Sequence, residues 1–367
     1  MVPNPLALIA EITHRCPLHC VYCSNPLELA AANTELNTGD WRRIFAEAAH
    51  MGILHVHLTG GEPLARADLE ELAASAHQAG LYTNLITSGT GLGRERLARL
   101  VEAGLDHIQL SFQDSETDRA DWIAGTRSHA HKIELAGWIR EHRIAFTANL
   151  VVHRQNLEHL DEMIRFLEGL RPDRMEIAHT QYYGWALANR DALMPTAVQL
   201  ENSLRVITDA EARLKGRIRI DSVLPDYHAR FPKACMGGWG RRMILINPRG
   251  EALPCHAAGV IPGLTFDNVR ERSLASIWNE SAAFQKFRGE SWMQEPCRSC
   301  DRRAEDFGGC RCQALLLAGD ATATDPACSL SPRHETVLQA IRQAPATVDG
   351  PSSPPAEWKY RPNPGRV

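Results

Sequence analysis

"CPLHCVYC", residues 16–23, follows directly on the apolar run "LALIAEI" (6–12) and sets Cys16, Cys20 and Cys23 in the spacing Cys-x3-Cys-x2-Cys. A closed structural metal site takes four ligands, and this stretch offers three. The next cysteine is Cys235. Thiolates suit zinc or an iron–sulfur group. On a cubic cluster, three thiolates leave one iron open, and a small molecule can bind there through an amine and a carboxylate. A zinc knuckle that borrows a distant fourth ligand is one alternative. Three cysteines with no joint role is the other.

Outward from this stretch, apolar runs recur at "ILHVHLT" (53–59), "LYTNLIT" (81–87), "DHIQLSF" (106–112), "IAFTANLVV" (144–152) and "RMEIAHT" (174–180). Helical patterns with charged faces separate them, at about 38–51, 67–79, 94–103, 129–142 and 156–170. Thr38 and Asn156 stand where N-caps are expected, and Gly52, Gly80 and Gly104 where C′ glycines are. Six strand–helix units with short connections predict a parallel α/β sheet, open or curled into a partial barrel. Such sheets gather their ligands at the C-terminal strand ends. The cysteines, "TGGEP" (59–63), "TSGTG" (87–91), "SFQD" (111–114), "HRQN" (153–156) and "TQYYGWA" (180–186) then share one rim.

The bulk numbers fit one large domain with an appendage. The chain has 367 residues, 44 % of them apolar, and a formal net charge of −4, so no basic field points to nucleic acid. No window is long and apolar enough to span a membrane, and the first residues lack a basic leader, so a cytoplasmic location is expected. Ten cysteines in a reducing compartment point to metal or redox chemistry. They split into three at 16–23 and seven at 235–328, with none between Ser24 and Ala234.

With Tyr22 at the variable position, the opening motif resembles CxxxCxφC of the radical S-adenosylmethionine (SAM) enzymes. The resemblance implies a [4Fe-4S] cluster on Cys16, Cys20 and Cys23 whose fourth iron is chelated by SAM. It also implies that SAM is cleaved to a 5′-deoxyadenosyl radical, which abstracts hydrogen from an unactivated C–H. "GGEP" (60–63) resembles the family segment that meets the SAM amino group: Gly60 and Gly61 let backbone carbonyls approach, and Glu62 adds a carboxylate or orders the loop. Ser88 and Ser111 are candidates for the ribose or carboxylate of SAM, or are turn and strand-end serines. Asn149 is a further candidate, or a residue on the side of the ladder. Tyr182, Tyr183 and Trp185 either line a substrate cavity or pack the barrel mouth. His14 and His19 read as solvated loop histidines.

Beyond residue 215 the pattern changes. Fourteen residues separate Cys235 from Gly250, and four separate Gly250 from Cys255; between them "MILINPRGEALPC" predicts a hairpin turned at 247–250. "SLASIWNESAAFQKFRGE" follows as an amphipathic helical stretch, and Cys297-x2-Cys300 opens a cysteine-rich segment that ends at Cys328. The pattern resembles the SPASM extension of radical SAM enzymes, which implies two auxiliary iron–sulfur clusters. Where that extension expects a cysteine six positions after Cys300, this chain has Asp306, and the register to Cys310 is kept. By the resemblance, Cys235, Cys255, Cys310 and Cys312 hold one cluster, a candidate [2Fe-2S]. Cys297, Cys300, Asp306 and Cys328 hold the other, a [4Fe-4S] with an Asp ligand. Glu305 is the rival carboxylate, and zinc at the Cx2C pair is the rival metal.

"CSNPLEL" (23–29) and "QYYGWAL" (181–187) narrow the resemblance, over about residues 5–343, to the branch of the family that acts in pyrroloquinoline quinone (PQQ) biosynthesis. That branch implies a C–C bond formed between Glu and Tyr side chains of the precursor peptide PqqA. It also implies the peptide chaperone PqqD and a flavodoxin- or ferredoxin-type reductant. The base that takes the ring proton is not singled out. The alternatives are another peptide maturase, thioether-forming or sulfatase-maturating, and a non-enzymatic cysteine-rich metal-binding module. The expected domains are 1–215, 216–343 and a Pro-rich tail, 344–367, disordered or draped.

Overall fold

Strands form where apolar residues are continuous, and helices where apolar positions recur every three to four residues. The computed structural model describes residues 2–344 and 358–362. The six expected strands are β1 (Ala7–Thr13), β2 (His55–Gly60), β3 (Tyr82–Thr87), β4 (His107–Phe112), β5 (Ala145–Val152) and β6 (Arg174–His179). Between them run α1 (Thr38–His50), α2 (Leu69–Gln78), α3 (Arg94–Glu102), α4 (Thr117–Ala124), α5 (His129–His142) and α6 (Leu160–Leu170). After β6 come α7 (Gly184–Ala188), α8 (Arg190–Leu193) and α9 (Ala197–Leu214). All neighbouring pairs from β1 to β6 are parallel. The sheet is the expected open, partial (β/α) barrel. Its central residues, such as Leu58, Leu85, Ile108 and Ala148, meet the inner faces of the helices, including Trp41, Phe45, Leu72 and Leu167. Each such large side chain, fully buried, contributes about 1.5–3 kcal/mol.

The sheet is larger than expected. Its order is β7-β6-β5-β4-β3-β2-β1-β8-β9, with β7 (Arg219–Val223), β8 (Met243–Ile246) and β9 (Ala252–Leu253). The "MILI" hairpin forms, with β8 antiparallel to β9, but β8 also pairs parallel with β1, from Ala7↔Met243 to Ala10↔Ile246. Residues on the far side of position 215 therefore complete the barrel sheet at both ends. Strand β7 escapes a reading by periodicity because it is a charged edge strand, with Arg219 exposed and Asp221 paired to Arg174.

Two expected caps are corrected. Asn37, one residue before Thr38, caps α1 in a reciprocal capping box with Asp40. Asn156 caps nothing with its side chain; its amide instead donates to the Gln113 and Val151 carbonyls and its Oδ1 accepts from the His153 amide. Gly52, Gly80 and Gly104 do end their helices at positive φ. Among the described residues, no helix is long and apolar enough to cross a membrane.

Candidate functional site

The loop after β1 carries Cys16, Cys20 and Cys23, and the loop after β2 is built against it. A Cβ on Gly60 would sit 2.3 Å from the Thr13 carbonyl oxygen, and one on Gly61 2.3 Å from that of Arg15. Gly60 also has φ +120°. The Gly61 and Glu62 amides donate to those two carbonyls, at 2.6 and 2.7 Å. These glycines are thus required by the cysteine loop itself. The Glu62 carboxylate accepts four hydrogen bonds: from the Leu64 amide (3.1 Å), Thr87 Oγ1 (2.6 Å), and the Ser88 amide (2.8 Å) and hydroxyl (2.5 Å). Of the two roles expected for it, loop ordering is the one this geometry performs, since it ties the end of β2 to the end of β3.

One cavity of about 320 Å³ is lined by the three cysteines together with Tyr22, Gly60, Gly61, Glu62, Ser88 and Ser111. The loop after β1 and residues from the ends of β2–β6 contribute to its wall. Asn149 lies on β5 in register with Ser111 and is buried, but is not among the described residues of that lining. The "HRQN" segment is also buried, as support behind the rim.

Burial raises the thiol pKa of Cys16 to about 12 and of Cys20 to about 11, and raises that of Cys23. Two buried cations oppose this. Lys132 on α5 is fully enclosed, which brings its ammonium down to about 8, and it donates to Gln113 Oε1 at 2.6 Å. Gln113 in turn donates to the Tyr22 hydroxyl at 2.9 Å. The second cation is Arg361, whose guanidinium reaches the Cys23 sulfur. His14 is buried rather than solvated: its Nδ1 accepts from the Ala30 amide at 2.9 Å and its Nε2 lies 3.5 Å from Glu11. His19, half-buried, meets the Arg361 carbonyl at 2.7 Å. Burial pushes the Glu11 carboxyl up, but hydrogen bonds from His14 and His256 outweigh it and bring the pKa to about 2.

The seven C-terminal cysteines form two groups. Cys235, Cys255, Cys310 and Cys312 make a ring of mutually contacting thiols, with Cys255 and Cys312 Sγ atoms 3.9 Å apart. Cys255 and Cys310 are held toward thiolate by hydrogen bonds from Cys235 and Cys312. Cys297, Cys300, Asp306 and Cys328 line a separate small void with Pro296 and Thr324. Asp306 is buried there and accepts from the Gly308 amide at 2.9 Å, whereas Glu305 points outward and pairs with Arg302. Among the described residues, no group of three or more Cys, His, Asp and Glu side chains is arranged as the shell of a single metal ion. Thiol-rich donor chemistry, rather than a preformed shell, carries the fit to iron–sulfur groups.

The three aromatic candidates separate. Tyr182 packs in a side cluster with Tyr227, and Trp185 is half-buried. Tyr183 lines a second cavity, of about 500 Å³, with Glu11, His14, His256 and Leu253, and its hydroxyl lies 2.9 Å from Cys310 Sγ. Ser24 lines both cavities. Asp325 was not foreseen. It is fully buried and accepts from the Cys310 amide (2.7 Å), Gln313 Nε2 (2.9 Å) and the Ala327 amide (3.0 Å), so it braces both C-terminal groups. Its one sequence signal is an Asp-Pro turn three residues before Cys328. Lys132 and Arg361 carry no local signal at all.

Comparison with known proteins agrees with this geometry. The Radical SAM superfamily matches residues 10–167, and the SPASM iron-sulfur cluster-binding domain matches residues 235–301. A protein of Methylobacterium nodulans named PqqA peptide cyclase is 54 % identical over 349 residues, covering 95 % of this chain and 92 % of its own. One of the same name from Bradyrhizobium diazoefficiens is 55 % identical over 343 residues, covering 93 % and 90 %. Among solved structures, Streptococcus suis SuiB bound to S-adenosylmethionine superimposes with TM-score 0.73 at 21 % identity, covering 89 % of this chain and 78 % of its own. AnSMEcpe with bound AdoMet gives 0.64 at 16 % identity, covering 93 % and 96 %. The two structures show a shared fold, and the two relatives carry the family: the chain belongs to the radical SAM enzymes with a SPASM domain, in the group whose members are named PqqA peptide cyclase.

Proposed function

We propose that this enzyme joins a Glu side-chain carbon (Cγ) to a Tyr ring carbon within the precursor peptide PqqA, as a step of PQQ biosynthesis. In this reading Cys16, Cys20 and Cys23 hold a [4Fe-4S] cluster. Tyr22, Gly60, Gly61, Glu62, Ser88, Ser111 and Asn149 surround SAM. Cys235, Cys255, Cys310 and Cys312 hold one auxiliary cluster, and Cys297, Cys300, Asp306 and Cys328 the other. Such a cluster, bound there and reduced, would supply the one electron that splits SAM into methionine and a 5′-deoxyadenosyl radical. The chain's own part is placement. The Lys132–Gln113–Tyr22 hydrogen bonds fix the aromatic ring beside the thiols, and Glu62 locks two strand ends so that the cavity keeps its shape. PqqD is the expected presenter of the peptide, a flavodoxin- or ferredoxin-type protein the electron donor, and the cytoplasm the compartment.

One observation carries the reading. The three-thiol cavity shares Ser24 with a larger cavity whose wall bears Tyr183, hydrogen-bonded to the four-thiol ring. A substrate seated between them would face a radical source on one side and an electron acceptor on the other. That suits a reaction in which the ring must lose an electron and a proton after the new bond forms. The test is anaerobic incubation of the reconstituted, reduced protein with SAM, PqqA and PqqD. A peptide lighter by two hydrogens, with the loss abolished by replacing its Glu or its Tyr, is expected. Cross-linking that depends on a substrate Cys or Ser would place the enzyme among the thioether-forming or sulfatase-type maturases instead. Three clusters predict about ten to twelve iron atoms per chain.

A further inference from the structure

The segment Trp358–Pro362 docks onto the outside of the cysteine loop, which lies at the other end of the sequence. Trp358 is buried and stacks on Trp122 of α4, with ring centroids 4.5 Å apart and planes 24° from parallel. The Lys359 amide donates to Asn189 Oδ1 at 2.8 Å. Asn189 Nδ2 donates both to the Lys359 carbonyl (2.8 Å) and to that of Val21 (2.9 Å), inside the cysteine motif. His19 Nδ1 meets the Arg361 carbonyl at 2.7 Å, and the Arg361 guanidinium donates to the His14 carbonyl. The segment thus meets the loop directly at His14 and His19, through Arg361, and at Val21 by way of Asn189, on both sides of Cys16 and Cys20.

Arg361 is the odd member of this contact. It is 1 % exposed, yet among the described residues no carboxylate pairs with it, and its Nε has no hydrogen-bond partner. A buried, unpaired guanidinium is strongly unfavourable unless a negative group meets it. The groups it does meet are the Cys23 sulfur, by a hydrogen bond, and Cys16 and Cys20, within electrostatic reach. Arg361 is not among the described residues that line the 320 Å³ cavity, so it leaves the space inside the three cysteines open. Thiolate-bound iron–sulfur clusters carry net negative charge and gain one more on reduction. Their potentials follow net charge and hydrogen bonds to sulfur.

We infer that Arg361, delivered by the docked segment Trp358–Pro362, is a positioning residue of the first cluster: a buried counter-charge and sulfur hydrogen-bond donor that secures the three-thiolate group and favours its reduced form. The inference rests on the proposal that Cys16, Cys20 and Cys23 ligate a cluster. Its ligand is therefore the cluster's thiolate face, not SAM or the peptide. Arginine suits the role because it stays charged when buried and can direct separate N–H groups at a carbonyl and a sulfur.

The experiment is an EPR-monitored redox titration of the anaerobically reconstituted full chain, with the first cluster recognised by the change of its signal when SAM is added. Wild type is compared with Arg361→Gln, Arg361→Lys and a chain stopped after residue 357. For Arg361→Gln and the shortened chain, the reduced-to-oxidised ratio of the SAM-responsive signal at a fixed potential should fall about tenfold, equivalent to about 59 mV for a one-electron couple. The auxiliary signals should stay in place. Arg361→Lys should recover most of the ratio. A wild-type ratio in Arg361→Gln overturns the inference, as does an equal shift of the auxiliary signals or a Lys variant no better than Gln. If wild type lacks a SAM-responsive signal, or the Cys16/Cys20/Cys23 triple Ala variant retains it, the underlying ligand assignment falls, and the inference with it.

Discussion

The two ends of the chain solve one problem, holding thiols in a set, in opposite ways. The N-terminal set sits on one loop between β1 and α1, opens on a cavity, and is steadied from outside by Glu62, Lys132 and the distant Arg361. The four-thiol ring draws its members from positions 235 to 312, closes on itself, and lies in a small core with Trp239, Leu253 and Phe287. In the first region the fold makes the site. In the second, β8 and the helical stretch after it lean on the barrel core, and the proposed cluster would hold the remaining cysteine-rich loops, whose own apolar core is small.

The largest effect should come from opening the ring. Cys255→Ala should expose the cysteine-rich segment from 297 to 330 to protease and strip the iron of the ring, since structural metal groups contribute on the order of 10 kcal/mol to folding. The Cys16/Cys20/Cys23 triple Ala variant should lose SAM cleavage entirely while its protease pattern and circular dichroism stay those of wild type. If both variants unfold alike, the contrast between the regions is wrong.

Two of the buried carboxylates, Glu62 and Asp306, sharpen the contrast further. Glu62→Ala leaves four donors of the β2 and β3 ends without an acceptor and should cost about 3 kcal/mol, read by denaturant unfolding. Asp306 accepts one amide at short range on Oδ1, while its Oδ2 has only a long contact, 3.9 Å, to the Arg302 guanidinium. Asp306→Ala should therefore change the iron content and spectrum of its cluster. Asp306→Cys should keep the iron and alter the spectrum. Unchanged iron and spectra in Asp306→Ala would remove Asp306 from the ligand set. The smallest effect is at the link between the regions. Tyr183→Phe deletes one hydrogen bond to Cys310, should cost about 1 kcal/mol, and should shift the potential of the cluster proposed there while leaving that of Cys297, Cys300 and Cys328 in place.

Much of this was legible beforehand, for physical reasons that differ by element. β1 to β6 and their helices announce themselves because local periodicity and burial coincide, and CxxxCxφC because its ligands are neighbours in sequence. Caps were misread by one residue at Thr38 because Asn37, Thr38 and Asp40 compete within one turn. His14 looked like a loop histidine; its partners, Ala30 and Glu11, are set by how the loop folds back. The pairing of β8 with β1 joins residues more than two hundred positions apart, and no local pattern encodes that. Lys132, Asp325 and Arg361 share this property. Each is an ordinary charged residue in its own segment and becomes a site residue only through tertiary contact.

The position of β1 between β2 and β8 also imposes an order of events. While the chain is being synthesised, β1 through β6 can pair as soon as they emerge, but β1 keeps one bare edge until residue 246 has left the ribosome. The strand that launches the three-cysteine loop is among the first made and among the last to have both neighbours. Metal delivered to that loop early would meet a half-built wall. On the proposed ligation, maturation is therefore expected to run backwards relative to translation, with the C-terminal hairpin settling first and the three-cysteine loop loaded afterwards.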